Sequence, residues 1–299
     1  MKEIIRIGSR ESALAVRQSE IIKEQIEQAH PDIRVEIVTM KTKGDRILDR
    51  SLEKIGGKGL FVKELEQALL DGRVDLAVHS LKDLPMEERE DLPILAYGKR
   101  EDVRDVLVYR KGLTELPESA VIGTSSRRRA LQIQALVPHC QVKGIRGNVQ
   151  TRLRKLEEEG FDATLLAAAG LLRLQMEGLI GRYFSVEEMI PAAGQGILAV
   201  QGRKGEFPSL LDGIDDRKSR AAAAAERSFI RVLEGGCTSP SAAHAQIAGR
   251  ELKLTGLYVD ETTGQVVRGV RTADIEDAVK AGELLAMQLK KEAQGGGNP

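Results

Sequence analysis

Tryptophan is absent from the 299 residues, and aromatic residues make up only 3%, so flat rings on which bases or sugars could stack are scarce. A ligand must be gripped mainly by charge. Cysteine occurs twice, at Cys140 and Cys237, which is too few for a disulfide framework and gives no CxxC pair for zinc. No metal site is expected, and any important cysteine acts alone. Long apolar runs are lacking as well: hydrophobic residues are 41%, charged residues 30%, and no stretch has the length of a membrane span. Charges interrupt the N-terminal MKEIIRIGSRESALAVRQSE where a signal peptide would be apolar. The expected compartment is the cytoplasm, with no membrane partner. Net charge is also missing, since Lys+Arg and Asp+Glu both number 45. Nucleic-acid binders are usually basic overall, so no nucleic-acid partner is expected, although a local basic site remains open.

The length suits several compact domains. In the first hundred residues, β-rich runs at 4–7, 35–39 and 76–79 alternate with helical patterns, the rhythm of a βαβ sheet. Between 12 and 29, Leu14, Ile21, Ile22 and Ile26 share one side of a helical wheel, opposite Lys23, Glu24 and Glu27. A second α/β series follows, with strands at 106–109, 121–123 and 163–167 and helices at 127–137 and 148–159. A third pattern has an alanine-rich helix at 219–233, strands at 243–248, 252–258 and 265–271, and a helix at 274–291, which suggests a small α+β domain with a three-stranded sheet.

Between Arg127 and Lys155 stand Arg127, Arg128, Arg129, Arg146, Arg152 and Arg154 with Lys143 and Lys155, and no Asp or Glu. Arginine's planar fork suits carboxylates and phosphates, whereas a solvated face would serve as well with lysine. Gly123-Thr124-Ser125-Ser126 leaves a strand and opens the helix bearing Arg128 and Arg129, so free N–H groups and hydroxyls face the same ligand end. Gly144-Ile145-Arg146-Gly147-Asn148 repeats the arrangement. Neither turn is a Walker loop or a GxGxxG site.

His79-Ser80-Leu81-Lys82-Asp83-Leu84-Pro85 leaves the apolar strand Asp75-Leu76-Ala77-Val78, at the kind of strand end where α/β sheets bind ligands. Taken alone, Asp83 also suits a turn with an exposed ion pair, and His79 a hydrogen-bonded structural histidine. Cys237 lies among turn-forming residues in Leu233-Glu234-Gly235-Gly236-Cys237-Thr238-Ser239-Pro240; alone it reads equally as a buried filler, the reading Cys140 receives. Three glycines in 56–59 precede an amphipathic helix, as a flexible cover or a plain helix approach.

Together these segments resemble the porphobilinogen deaminase family. The resemblance runs in order through IGSRESALA at 7–15, residues 56–64, HSLKDLP at 79–85, GTSSRRR at 123–129, IRGNVQTRL at 145–153, PAAGQG at 191–196 and LEGGC at 233–237. It implies two doubly wound α/β domains resembling type II periplasmic binding proteins, 1–98 with 194–214 and 101–191, and a third α+β domain at 217–299. It further implies a transferase that condenses four porphobilinogen molecules into linear hydroxymethylbilane, losing ammonia each time, on a dipyrromethane cofactor joined by a thioether to Cys237. By match to its motifs, Asp83 is the catalytic carboxylate. Arg10, Ser12, Lys82, Ser126, Arg128, Arg129, Arg146, Arg152 and Arg173 contact the carboxylates of cofactor and growing chain, and Lys58 and Phe61 belong to a mobile cover. The resemblance favours a monomer.

Two departures stand out: Arg127 where the family commonly has leucine, and Gln201 where an acidic residue is usual. The expectation is that Arg127 points to solvent and Gln201 lies outside the site. The main rival is a binding module that holds a multivalent anion without altering it.

Overall fold

A computed structural model describes residues 3–42, 62–207, 209–234 and 239–295. The strands are β1 (Ile4–Arg10), β2 (Arg34–Met40), β3 (Leu76–Ser80), β4 (Ile94–Tyr97), β5 (Asp105–Tyr109), β6 (Val121–Gly123), β7 (Gln141–Lys143), β8 (Ala163–Ala167), β9 (Arg182–Tyr183), β10 (Leu198–Gly202), β11 (Ala242–Ala248), β12 (Glu251–Val259) and β13 (Val266–Asp274). The helices are α1 (Ala13–Ala29), α2 (Lys63–Leu70), α3 (Arg127–Leu136), α4 (Val149–Glu158), α5 (Ala168–Arg173), α6 (Arg217–Val232) and α7 (Ala278–Gly295). Lys58, Phe61 and Cys237 lie outside the described residues.

The chain divides into two compact units, one of residues 1–101 with 196–220, the other of 102–195 with 221–299. The first holds a five-stranded sheet in the order β2-β1-β3-β10-β4. Strands β1, β2 and β3 run parallel, and β10 enters antiparallel between β3 and β4. Ile5 and Ile7 of β1, Val35 of β2 and Val200 of β10 share a core with Ile22 and Ile26 of α1. Each such side chain, fully buried, is worth about 1.5–3 kcal/mol. The buried stripe of α1 is Ala15, Gln18, Ser19, Ile22 and Ile26; of the expected apolar side, Ile22 and Ile26 are buried and Leu14 and Ile21 half-buried.

The second unit repeats the scheme in the order β7-β6-β8-β5-β9. Strands β6, β7 and β8 are parallel, with β5 antiparallel beside β8. Cys140 is buried in its core, and burial pushes its thiol up. The same unit holds the antiparallel sheet β11-β12-β13, against which α7 packs. Ala222, Ala223 and Ala225 of α6 are buried, and a Cβ at Gly282 of α7 would collide with Ser228 Oγ and the Ala225 carbonyl, so the small residues let these helices approach closely.

Among the described residues, no helix is long and apolar enough to cross a membrane.

Candidate active site

Parallel neighbours deliver their carboxyl ends to one edge of a sheet, and that geometry builds the first cluster. The β1–β3 register pairs Gly8 with Ala77, so Arg10 and His79, each two residues on, emerge together. Ser12 caps α1, its hydroxyl oxygen accepting from Ala15 N at 3.3 Å. After β3 the chain turns through a short 3₁₀ segment, Leu81–Asp83, closed by Leu84 N–H donating to Leu81 O at 3.1 Å. Leu81 and Leu84 are buried, and Leu81 N–H donates to Ile197 O at 3.0 Å. Asp83 is thus exposed on a turn anchored from both sides, and its side chain makes no hydrogen bond among the described residues. Lys82, beside it, is half-buried. The edge combines cations from β1 and the 3₁₀ turn with one fixed carboxylate.

Two side chains absent from the expected set stiffen this edge. Gln18 of α1 donates to Ser80 Oγ at 2.8 Å. Gln201 of β10 donates through Nε2 to Leu92 O at 2.9 Å and to Glu66 Oε1 at 3.3 Å, which turns its own Oε1 toward His79 Nε2 at 3.1 Å. His79 therefore carries its proton on Nε2. Burial pushes the imidazole down to about 4, so it is a neutral, hydrogen-bonded structural histidine, as its sequence context suggested. Gln201 thereby braces the strand that leads to the Asp83 turn. A glutamate there would turn a carboxylate on Glu66 and the Leu92 carbonyl with nothing to donate, which accounts for glutamine in this chain.

The second unit shows three parallel strand ends on one edge. From β6, Ser126 caps α3 by accepting from Arg129 N at 3.4 Å, and Arg128 and Arg129 follow in its first turn. From β7, the loop carrying Arg146 leads to α4, capped by Asn148, whose Oδ1 accepts from Thr151 N at 2.8 Å. Gly147 here has φ +121°, and a Cβ would lie 2.5 Å from Thr151, so glycine is required. Arg152 on α4 donates from Nε to Gly147 O at 2.9 Å. From β8, α5 ends on Arg173. The two loops are joined, Thr124 N donating to Lys143 O at 2.9 Å and Ser125 Oγ to Ile145 O at 3.0 Å. Five half-buried or buried arginines and two capped helix N-termini thus share an edge.

The arginine run is less unbalanced than its sequence suggests, because Asp105, from outside it, is wholly buried against the pair. Its Oδ2 accepts from Arg128 Nη1 at 2.6 Å; its Oδ1 accepts from Arg129 Nε at 2.9 Å and from Gln195 Nε2 at 3.1 Å, with Arg129 Nη2 at 2.7 Å. Arg128 and Arg129 are buried too, at 4% and 6% exposure. Arg127 points outward as expected, gripping Glu261 with both nitrogens at 3.0–3.2 Å. Arg154 pairs with Glu158 on its own exposed helix face.

Each unit thus presents a basic, hydrogen-bond-rich strand-end edge, the first with the Asp83 carboxylate and the second with five arginines, a chemistry suited to anions with carboxylate arms. Residues 5–208 match the family described as "Porphobilinogen deaminase, dipyromethane cofactor binding domain", and residues 221–291 the one described as "Porphobilinogen deaminase, C-terminal domain". The chain belongs to the porphobilinogen deaminase family. It is 53% identical over 289 residues to the porphobilinogen deaminase of Acetivibrio thermocellus, covering 97% of this chain and 99% of that one. Identity to the enzyme of Alkaliphilus oremlandii is also 53%, over 288 residues, covering 96% and 97%. Among solved structures, the periplasmic aliphatic sulphonate binding protein of Escherichia coli is similar at a TM-score of 0.42 and 10% identity, covering 78% of this chain and 71% of that one. As a member of the family, the chain is a transferase of porphyrin biosynthesis that carries the dipyrromethane-cofactor domain and assembles a tetrapyrrole from porphobilinogen.

Proposed function

We infer that this chain joins four porphobilinogen molecules head to tail, releasing ammonia at each step and taking up one water for the terminal hydroxyl, into linear hydroxymethylbilane, with Asp83 as the catalytic carboxylate and Cys237 as the thioether tether of the primer. The observation that carries this reading is the placement of exposed Asp83 on an anchored 3₁₀ turn at the strand end beside Arg10. The residues fit a polyanionic cofactor: Arg128, Arg129, Arg146, Arg152 and Arg173 stand buried or half-buried at one sheet edge, a row of guanidiniums suited to carboxylates. Bound, a dipyrromethane supplies a primer to which successive pyrrole rings are added.

The chain's own residues bind and move protons. Arg10, Lys82, Arg128, Arg129, Arg146, Arg152 and Arg173, with the Ser12 and Ser126 hydroxyls, hold acetate and propionate arms by charge-assisted hydrogen bonds. Loss of ammonia from a porphobilinogen leaves an electron-poor cationic ring. The Asp83 carboxylate accepts that ring's N–H and stabilises its spread charge without reorganising, because its turn is already fixed. The same oxygens then take the proton released when the new carbon–carbon bond forms. The reading includes three domains, 1–98 with 194–214, 101–191 and 217–299, and a monomer working in the cytoplasm without nucleic acid.

The test is the intact mass of the purified chain after incubation with porphobilinogen, followed by mapping of the peptide around Cys237. A mass gain of two linked rings on that peptide, lost in Cys237→Ser, together with ammonia release, is the expected result. An unmodified chain that binds porphobilinogen without consuming it would instead identify a binding module.

A further inference from the structure

Asp105 is the least exposed charged group at the arginine-bearing edge, and nothing in the reaction described above uses it. It is the first residue of β5, the antiparallel strand, and its backbone is fixed by Ala167 across the ladder and by Phe184 N–H donating to its carbonyl at 3.0 Å. Its carboxylate receives four donors from three side chains. The shell around it is equally determined. Arg128 Nη1 also donates to Ile190 O at 2.7 Å, and Arg129 Nη1 to Leu165 O at 3.0 Å. Gln195 Nε2 also donates to Val103 O at 2.7 Å.

We propose that Asp105 is a positioning residue for anion recognition, clamping Arg128 and Arg129 into one rigid cation that receives a carboxylate of the tetrapyrrole chain. The proposal rests on the functional reading above. Three features support it. First, Arg128 bonds through Nη1 alone among the described residues, leaving its Nε and Nη2 edge for a ligand. Second, the two guanidiniums lie buried in the first turn of α3, whose N-terminal partial charge is also positive and favours an anion. Third, long arginine side chains lose much rotamer freedom on binding, and a clamp that removes this freedom beforehand makes the later capture tighter.

The test compares wild type, Asp105→Asn, Arg128→Gln and the double variant, each incubated with porphobilinogen, reading the dipyrromethane-loaded fraction by intact mass and kcat and KM separately. Asp105→Asn should load more slowly and raise KM by about tenfold or more, the scale of one charge-assisted contact, with a smaller change in kcat. In the Arg128→Gln background the same substitution should raise KM little further, because the residue acts through that arginine. A variant that loads as wild type with unchanged KM, whatever its melting temperature, would overturn the proposal, as would full additivity in the cycle. Should Asp105→Asn fail to fold, Asp105→Glu, which keeps the charge and displaces it by one methylene, carries the same expectation and the same overturning result. A wild-type chain that neither loads nor consumes porphobilinogen overturns the functional reading and this proposal together, so the two failures are distinguishable.

Discussion

Gln18 donates its side-chain amide to the hydroxyl of Ser80 at 2.8 Å, tying α1 to the residue at which β3 ends and the turn bearing Asp83 begins. Gln18 is only 4% exposed, so truncating it strands a partly buried hydroxyl. Gln18→Ala should destabilise the fold by about 1–3 kcal/mol. It should also lower kcat severalfold while leaving the covalent adduct intact, because the turn loses one of its anchors. Unfolding by urea and steady-state kinetics on the same preparation check both halves.

Asp83→Asn keeps size and shape but removes the charge opposite the reacting ring. The side chain makes no hydrogen bond among the described residues, so the fold and its melting temperature should be unchanged. Turnover should fall by about 10²–10³-fold, the usual scale for a lost electrostatic stabiliser. Near-normal turnover in a purified variant would remove the assigned role.

Acid should weaken the native state through His79. Its imidazole is held down at about 4 when folded, chiefly by burial, and returns to 6.5 when unfolded. Between those values the unfolded chain binds a proton that the native chain does not, so stability falls as pH drops through this window. The loss reaches about 3 kcal/mol by the lower end. In His79→Gln this component should disappear. The difference in unfolding free energy between wild type and variant should therefore change by that amount from pH 7 to pH 4, and a constant difference would show that His79 does not titrate this way.

Arg127 and Glu261 join α3 to the turn after β12, yet both side chains are about half exposed. Arg127→Leu should change stability by less than about 1 kcal/mol and leave loading and turnover alone. Thermal unfolding and intact mass would reveal a larger effect.

Periodicity located the long elements because their burial is local: α1, α3, α4 and the strands β1, β2, β3, β5, β6 and β8 follow patterns visible within a few residues. Strands β4, β7, β9 and β10 escaped notice. Each has two to five residues, and β10, Leu198–Gly202, becomes a strand only by pairing with residues more than a hundred positions upstream. The strand-end residues Arg10, Asp83, Ser126 and Arg146 stood out through their motifs. Asp105 and Gln201 did not, because what singles them out is a partner brought near by the fold. The run from Arg127 to Lys155 contains no acid, and its counter-ion lies 23 and 24 residues before the two arginines it serves.

The antiparallel insertion of β10 also sets an order of events during synthesis. When the ribosome has made residues through Tyr97, β1 to β4 exist, but the strand that belongs between β3 and β4 does not. Both would present unpaired edges until residue 202 emerges, after every strand of the second sheet has been made. Open edges of this kind invite pairing with other chains. A nascent or truncated chain ending before Leu198 is thus the form of this protein most in need of a chaperone, and the first sheet, although encoded first, is completed second.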